Sequence, residues 1–294
     1  MTDPQARAAI AFEGETLRYA EVEQVGTYAR LLRLGACDFE FKPVDALREG
    51  DAEALAIMRE AVGDVFEGST AQGVRIVLPP HSVLTWTAPF PSSQPVNERN
   101  ARLTLETTLL AGADRGPSMG LTLQPLYSEG GQDWVQVIAL SRQTQGRMET
   151  IGRAMPNGGM RASLSLLGAA RLAAACGSES GITVALGRYA HRTDYSVVRN
   201  GNPILIASSK AESIPNAAFT LLRLLDRIGA NPTAVESAFV YGDDARAADL
   251  DALPHVFANP FEPLNPLRAL LVDDPDAADP FDVSAYAPVV GATL

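Results

Sequence analysis

The sequence predicts an α/β protein made of two duplicated halves, with a small α+β subdomain inserted into the first half. Each half opens on three short strands joined by tight turns, over residues 8–34 and again over 182–207. In the second opening Asn200-Gly201 separates two apolar runs, which is a strong hairpin signal because both central turn residues need a positive φ. A different texture over residues 82–149, rich in proline and leucine, indicates the insert.

Composition bounds the class of protein. A chain of 294 residues that is 46% hydrophobic can bury an ample core. Its formal net charge of −11 argues against a nucleic-acid partner, since phosphate backbones are bound by clustered lysine and arginine. Two cysteines, Cys37 and Cys176, are too few and too far apart for a disulfide framework or a metal site. We expect free, buried thiols in a reducing compartment.

The chain shows no sign of a membrane span. It has neither a basic-plus-apolar leader nor an apolar run near the ~20 residues that a bilayer requires. We therefore expect a soluble cytoplasmic protein, which can still dock on a membrane protein.

The first half is predicted to begin with a frayed start over residues 1–7. Three strands follow, at 8–12, 16–23 and 27–34, with a turn at Glu13-Gly14-Glu15. Residues 38–50 look irregular. A helix then begins at Asp51 or Ala52, and its apolar residues recur at i, i+3, i+7 and i+10 on one helical face; they are Leu55, Met58, Val62 and Val65. The apolar run 74–78 is predicted as a buried strand that ends at Pro79-Pro80.

The insert is predicted as strand, helix, strand, strand, helix, which is the pattern of a small α+β plait. Its strands are expected at 83–88, 121–127 and 134–140, and its helices at 97–111 and 143–154. A proline-rich linker is predicted over 89–95 and a loop over 113–120. A helix over 164–175 is expected to return the chain to the first half.

The second half is predicted to repeat the first. Its strands are expected at 182–186, 195–199 and 204–207, with turns at Gly187 and Asn200-Gly201. The later elements are expected as helices at 213–228, 245–253 and 266–271, and as short strands at 237–241 and 256–258. An acidic loop is expected over 273–281, and residues 284–291 close the chain. Only one long helix fits between Ser213 and Ser237, so a second cap subdomain is expected to be reduced or absent.

Four stretches resemble a known family. They are AFEGETLRYAEVEQVG (11–26), MPNGGMRASLSLLGAARLA (155–173), TDYSVVRNGNP (193–203) and YAPVVGATL (286–294), the last with its partner Asn265-Pro266-Leu267. Their order and spacing are similar to the PilM-like and GspL-like cytoplasmic proteins of type IV pilus and type II secretion machines. These are relatives of FtsA in the actin-like ATPase superfamily. The resemblance implies duplicated actin-like (ribonuclease H-like) half-domains around the inserted α+β subdomain.

The resemblance also implies domain boundaries and nucleotide-binding residues. The first actin-like half is expected over 1–80 plus 160–177, the insert over 81–159 and the second half over 178–294. If nucleotide is bound, the phosphates and adenosine would lie against five residues; these are Gly14, Thr16, Gly187, Thr193 and Gly242. ATP and Mg²⁺ would then be the cofactors.

The sequence departs from the superfamily at all three nucleotide loops. The acid that holds Mg²⁺ at the end of the first strand is replaced by Ala11 or Phe12. The second phosphate loop begins at Ala185 where the superfamily has an aspartate, and the bulky run 188–192 follows it. The adenosine loop, usually rich in glycine, has only Gly242 beside two carboxylates. Since phosphates need N–H donors or cations, we expect no cofactor and a degenerate ATPase.

No catalytic residue or metal ligand can be assigned from the sequence. His191, Asp194 and Ser196 do not form a triad by spacing, and no G-x-S-x-G elbow is present. The three histidines lack ligand spacing. Trp86 and Trp134 lie on insert strands and are expected to anchor a core or an interface.

Two functional hypotheses remain at this stage. In the first, the chain is a non-catalytic scaffold on the cytoplasmic face of the inner membrane. It binds the cytoplasmic tail of a PilN-like membrane partner through a wall formed by the insert, roughly 82–149. In the second, it is an ATP-binding, slowly hydrolysing actin-like ATPase. Self-association stays open under both hypotheses.

Overall fold

A computed structural model gives the fold, and it describes residues 5–155, 159–253 and 257–294. Its strands form two five-stranded sheets and one three-stranded sheet. The strands are β1 Gln5–Glu13, β2 Thr16–Val25, β3 Tyr28–Asp38, β4 Val74–Leu78, β5 Leu84–Pro91, β6 Met119–Glu129, β7 Gln132–Ser141, β8 Met160–Leu164, β9 Ile182–Arg188, β10 Arg192–Arg199, β11 Asn202–Lys210, β12 Val235–Tyr241 and β13 Phe261–Pro263.

The described residues also form nine α-helices. They are α1 Pro43–Glu49, α2 Ala52–Val65, α3 Val96–Ala111, α4 Arg142–Gly152, α5 Ser165–Cys176, α6 Ile214–Arg227, α7 Ala247–Ala252, α8 Pro280–Ser284 and α9 Ala287–Thr293. Short 3₁₀ turns cover Pro80–Ser82, Gly116–Ser118, Pro232–Ala234 and Pro266–Ala269.

The two five-stranded sheets have matching strand orders. One runs β3-β2-β1-β4-β8 and the other β11-β10-β9-β12-β13. In the second sheet β9, β10 and β11 pair antiparallel, and β12 then pairs parallel with β9 and with β13. The fourth and fifth strands of the first sheet, β4 and β8, are likewise parallel. The matching strand order, with a parallel pair of strands at the same end of each sheet, confirms the predicted duplication.

The insert forms the three-stranded sheet, in the order β5-β7-β6. The described residues between α6 and β12 form only a turn and the 3₁₀ turn Pro232–Ala234. This short connection leaves no room for a second subdomain between α6 and β12, as the sequence predicts.

By its internal contacts the described chain separates into two compact units. Unit 1 contains 5–9, 18–35, 165–253 and 257–294, and unit 2 contains 10–17, 36–155 and 159–164. The insert is therefore part of a larger compact unit. The three-part division at 80/81, 159/160 and 177/178 stays a prediction.

The helix α2 confirms its sequence prediction in detail. Asp51 caps it, its side chain accepting hydrogen bonds from the N–H groups of Glu53 and Ala54 at 3.0 and 3.1 Å. On the predicted apolar face Met58 and Val62 are completely buried.

The segment predicted as irregular, residues 38–50, contains the helix α1. Pro43 begins it, at the position where a missing N–H costs nothing. Gly50 ends it with φ at +87° and donates its N–H to the carbonyl of Ala46. The prediction was wrong because a seven-residue helix is too short to show periodicity.

Two predicted breaks in the chain are strands instead. Pro89–Pro91, predicted as a linker, continue β5, which is an edge strand and so tolerates proline. Gly187, predicted as a turn, lies inside β9 and pairs with Asp194 of β10. The turn falls later, where the N–H of Tyr189 donates to the carbonyl of Arg192 at 3.1 Å. Asn200-Gly201 is confirmed as a turn, with φ of 50° and 74°.

Several smaller boundaries also differ. Residues 5–7, predicted as frayed, belong to β1, and Met119 and Gly120, predicted as loop, belong to β6. Leu164 ends a strand, β8, that the sequence prediction missed. The acidic loop 273–281 is interrupted by the start of α8 at Pro280. The strand predicted over 256–258 falls partly outside the described residues, and Phe257 and Ala258 form bends.

Close packing in unit 1 depends on small residues in α5 and α9. A side chain at Gly168 of α5 would collide with the carbonyl of Pro288, and one at Gly291 of α9 would collide with the carbonyl of Gly168. The two helices therefore approach backbone to backbone. This gives a physical reason for the glycine in the family-like closing stretch YAPVVGATL.

Candidate functional site

The five sequence-predicted site residues fall in two compact units. Gly14 and Thr16 belong to unit 2, and Gly187, Thr193 and Gly242 belong to unit 1.

In unit 2, Gly14 forms the tight turn between β1 and β2. Its φ is +59°, and a Cβ built on it meets no atom within 4 Å. The hydroxyl of Thr16 donates a hydrogen bond to the Asp38 carboxylate at 2.7 Å. This turn is exposed and keeps open space around its glycine.

In unit 1, the three predicted residues Gly187, Thr193 and Gly242 lie in closely packed strands and loops. A Cβ on Gly187 would lie 2.7 Å from the Tyr241 ring and 2.9 Å from the Asp194 side chain. Gly242 has φ of +106°, and a Cβ there would collide with the carbonyl oxygen of Arg188. These glycines are needed for the close approach of β9, β10 and the loop after β12.

The hydroxyl of Thr193 is completely buried and already has two partners. It accepts hydrogen bonds from the N–H of Glu212 at 3.1 Å and from the Arg188 guanidinium at 3.3 Å. The same guanidinium donates to the carbonyl of Glu212 at 2.7 Å. The carbonyl of Arg188 in turn accepts from the N–H of Asp244 at 3.1 Å. Arg188 thus ties together the chain segments that bear Thr193 and Gly242.

A buried ion pair lies beside them. Arg192 donates to the Asp194 carboxylate at 3.0 Å, and the Ser208 hydroxyl donates to the same carboxylate at 2.7 Å. Asp194 is 0% exposed and Arg192 3%. The Arg192 guanidinium also lies 3.7 Å from the centre of the Tyr189 ring, a cation–π contact. Tyr189 packs edge-on against Tyr241, with 6.2 Å between ring centres.

These contacts define a set of residues that we call the plug: Arg188, Tyr189, Arg192, Asp194 and Tyr241. All five are buried in unit 1. In the sequence the plug is visible only as the bulky run 188–192; its partners Asp194 and Tyr241 could not be assigned to it. Asp194, weighed above as part of a triad, is occupied by Arg192 and Ser208, while His191 is exposed.

The insert sheet carries aromatic residues with polar partners. The indole N–H of Trp86 donates to Glu106 of α3 at 2.9 Å, and Trp134 stacks on Tyr127 with 5.6 Å between ring centres. Phe90 is completely buried within the insert. The opposite side of α3 carries apolar residues in solvent: Leu105 is 60% exposed and Leu109 74%.

The described residues contain no group of three or more His, Cys, Asp or Glu placed to hold a metal ion. Within the same part of the chain no helix is both long and apolar enough to cross a bilayer. Cys37 and Cys176 are free thiols, as expected, and they are partly buried.

Comparison with known proteins bears on the fold. No family model and no curated protein matches the sequence. Among solved structures, a chain of the PilM–PilN type IV pilus biogenesis complex matches with a TM-score of 0.68 at 17% identity, over 97% of this chain and 96% of that one.

A second solved structure is a Bacteroides thetaiotaomicron protein with an actin-like ATPase fold and unknown function. It matches with a TM-score of 0.53 at 10% identity, over 87% of this chain and 90% of that one. The chain therefore has the actin-like ATPase fold predicted from its sequence, in the form seen in the PilM–PilN structure. At these identities the likeness establishes the fold alone.

Proposed function

We propose that this chain, which has the actin-like ATPase fold, is a non-catalytic scaffold of a type IV pilus or type II secretion assembly. It is recruited to the cytoplasmic face of the inner membrane, where it binds the cytoplasmic tail of a PilN-like membrane partner. The fold of the PilM–PilN structure, matched over nearly the full length of both chains, supports the type of assembly.

The observation that carries the non-catalytic role is the plug. Where the resemblance expects a short phosphate loop, β9 and β10 are joined through Arg188, Tyr189 and Arg192, all buried. The hydroxyl of Thr193 already accepts hydrogen bonds from Arg188 and from the backbone N–H of Glu212. Ala185, also buried, replaces the acid that would begin this loop. A polyphosphate would have to displace a compensated ion pair in order to bind, which is costly.

The competing hypothesis is weak ATP binding with slow hydrolysis. One observation favours it: the turn at Gly14 keeps the glycine and the open space that a phosphate loop requires. Under this hypothesis ATP and Mg²⁺ would be bound.

Mg-ATP titration separates the two hypotheses. A ligand present at a thousand times its Kd stabilises the folded state by about 4 kcal/mol. A micromolar site at millimolar Mg-ATP would therefore raise the unfolding temperature by several degrees. The scaffold role predicts no shift and no phosphate release, and a reproducible shift would contradict it.

Binding of a membrane partner is tested directly. Trp86 and Trp134 lie on the insert sheet, in the proposed docking wall 82–149, so their fluorescence reports on this surface. A labelled cytoplasmic tail from a co-occurring inner-membrane protein should change the tryptophan emission and gain anisotropy. An extended tail would lie along strands and grooves of the insert. If the tail neither gains anisotropy nor alters the emission, the proposed partner is wrong.

A further inference from the structure

A separate cavity of about 500 Å³ lies in unit 2, between the end of β3 and the first turns of α2. Its size falls within the range of about 300–1,000 Å³ that is usual for ligand pockets. The lining residues lie between Asp38 and Ile57, outside the proposed docking wall. The cavity therefore stands apart from the scaffold proposal.

Two aromatic rings form the apolar part of the cavity. Phe39 and Phe41 stack with 5.1 Å between ring centres and 28° between ring planes, and both are only partly buried. The N–H of Phe39 donates to the carbonyl of Glu15 at 2.9 Å, which holds this segment on the β1–β2 turn. Ile57 of α2 also lines the cavity and is 43% exposed.

Four carboxylates line the same cavity: Asp38, Glu40, Asp51 and Glu53. Two of them already have hydrogen-bond partners within the protein: Asp51 caps α2, and Asp38 accepts a hydrogen bond from the Thr16 hydroxyl. Glu40 and Glu53 are exposed. Lys42, the cation next to this segment in the sequence, does not line the cavity.

Aromatic faces beside carboxylates favour one kind of ligand group. A guanidinium is planar, stacks on aromatic rings and pairs with carboxylates through two parallel hydrogen bonds. An ammonium ion matches this geometry less well because it is a hydrated point charge. The apolar side chain of Ile57 adds a contact for an aliphatic neighbour of the cation.

We infer that this cavity is a docking site for an arginine-bearing extended peptide segment of a protein partner. The arginine stacks on Phe39 and Phe41 and pairs with Glu40 and Glu53, while an adjacent aliphatic side chain contacts Ile57. Charge complementarity gives the site its specificity and also makes it sensitive to salt.

The test uses the full chain and a labelled seven-residue peptide in which two arginines alternate with three leucines between glycine ends. A second peptide carries citrulline, the neutral analogue, in place of each arginine. Fluorescence anisotropy should show saturable binding of the arginine peptide, with affinity at least tenfold weaker for the citrulline peptide.

A pair of double variants with equal charge change locates the binding. Glu40→Gln/Glu53→Gln removes two exposed carboxylates from the cavity. Glu179→Gln/Asp226→Asn removes two exposed carboxylates that line no part of it. The first variant should lose at least fivefold in affinity and the second less than twofold. Phe41→Leu, which keeps an apolar side chain, should lose about two- to fivefold because a cation–π contact is lost.

Three outcomes would overturn the proposal. One is the absence of saturable binding. Another is an equal loss in the two double variants, which would mean that the peptide responds only to the net charge. The third is displacement of the peptide by an equimolar amount of spermidine, which would make the cavity a general cation site.

Discussion

Gly242 shows at the scale of one residue why the loops of unit 1 interlock. Its backbone has φ of +106°, and the carbonyl of Arg188 occupies the place of a side chain. Gly14 also has a positive φ, but a Cβ there meets nothing within 4 Å. A side chain added at Gly242 would meet both backbone strain and a collision, whereas one added at Gly14 would meet backbone strain alone.

Gly242→Ala should therefore destabilise the protein by about 2–4 kcal/mol, through backbone strain and a collision. Gly14→Ala should cost about 1 kcal/mol, from the left-handed conformation alone. Urea unfolding midpoints of the two variants measure the difference. Equal losses would show that the Arg188 carbonyl moves aside freely.

The ion pair of the plug also has a matched pair of variants. Asp194→Asn leaves Arg192 buried without its counter-charge, so we expect a loss of about 3–5 kcal/mol. Asp45→Asn breaks the exposed pair with Arg48 at 2.9 Å and should change stability by no more than about 0.5 kcal/mol. Chemical denaturation gives both values, and a small loss in Asp194→Asn would show that water reaches the plug.

Cys176 should respond to pH. Burial raises the pKa of its thiol to about 11, from an ordinary value of 9.0, although the Arg268 charge acts to lower it. The folded protein then holds this proton more tightly than the unfolded chain. Its contribution to stability is complete below about pH 9 and is lost as pH rises to about 11.

Alkylation of Cys176 by iodoacetamide in a Cys37→Ser background should be slow at pH 8 and should accelerate only towards pH 11, because the thiolate is the nucleophile. Mass spectrometry follows the reaction, and unfolded protein in urea serves as the reference. Equal rates for folded and unfolded protein at pH 8 would contradict the raised pKa.

At the scale of elements, α3 has one apolar side packed in a core and another exposed to solvent. Leu103 faces the insert sheet, where it packs in a core with Ala88, Phe90, Val135 and Val137. Leu109 lies in solvent. The sequence prediction placed this helix at 97–111, close to the observed Val96–Ala111, but it could not say which leucines find a partner.

Leu103→Ala should cost about 2–5 kcal/mol, since it leaves a cavity in the insert core. Leu109→Ala should change stability by no more than about 0.5 kcal/mol. Thermal unfolding of both variants measures the contrast. A large loss in Leu109→Ala would mean that this side of the helix is covered in solution.

At the scale of the whole molecule, the insert is not self-contained. Its helix α4 packs on α1 and α2, which precede it by about a hundred residues in sequence. Arg147 of α4 donates to the carbonyls of Leu47 and Arg48 at 2.8 and 2.7 Å. Met148 and Ile151 are buried on the same helix.

Residues 81–159 expressed alone should therefore fail to unfold cooperatively, because α4 loses the surface that it covers in unit 2. The domain is also short, and small cores are marginally stable. Circular dichroism during heating and the dispersion of amide NMR signals measure this, with the full chain as control. A sharp transition together with a well-dispersed spectrum would show an autonomous insert.

The sequence by itself determined the duplication, the fold class and most of the order of elements, although it missed α1 and β8. These depend on local signals: turn residues such as Asn200-Gly201, a capping Asp51 and apolar runs such as 74–78. Only the tertiary structure decided what surrounds the residues that were expected at the nucleotide loops, and what lines the cavity beside Phe39. Ser208 of β11 donates to Asp194 of β10, and Gly242 meets Arg188, across strand pairings and loops that local patterns do not encode. Contacts of that kind depend on which side chains come close together in space. Residue type and spacing along the sequence do not determine that.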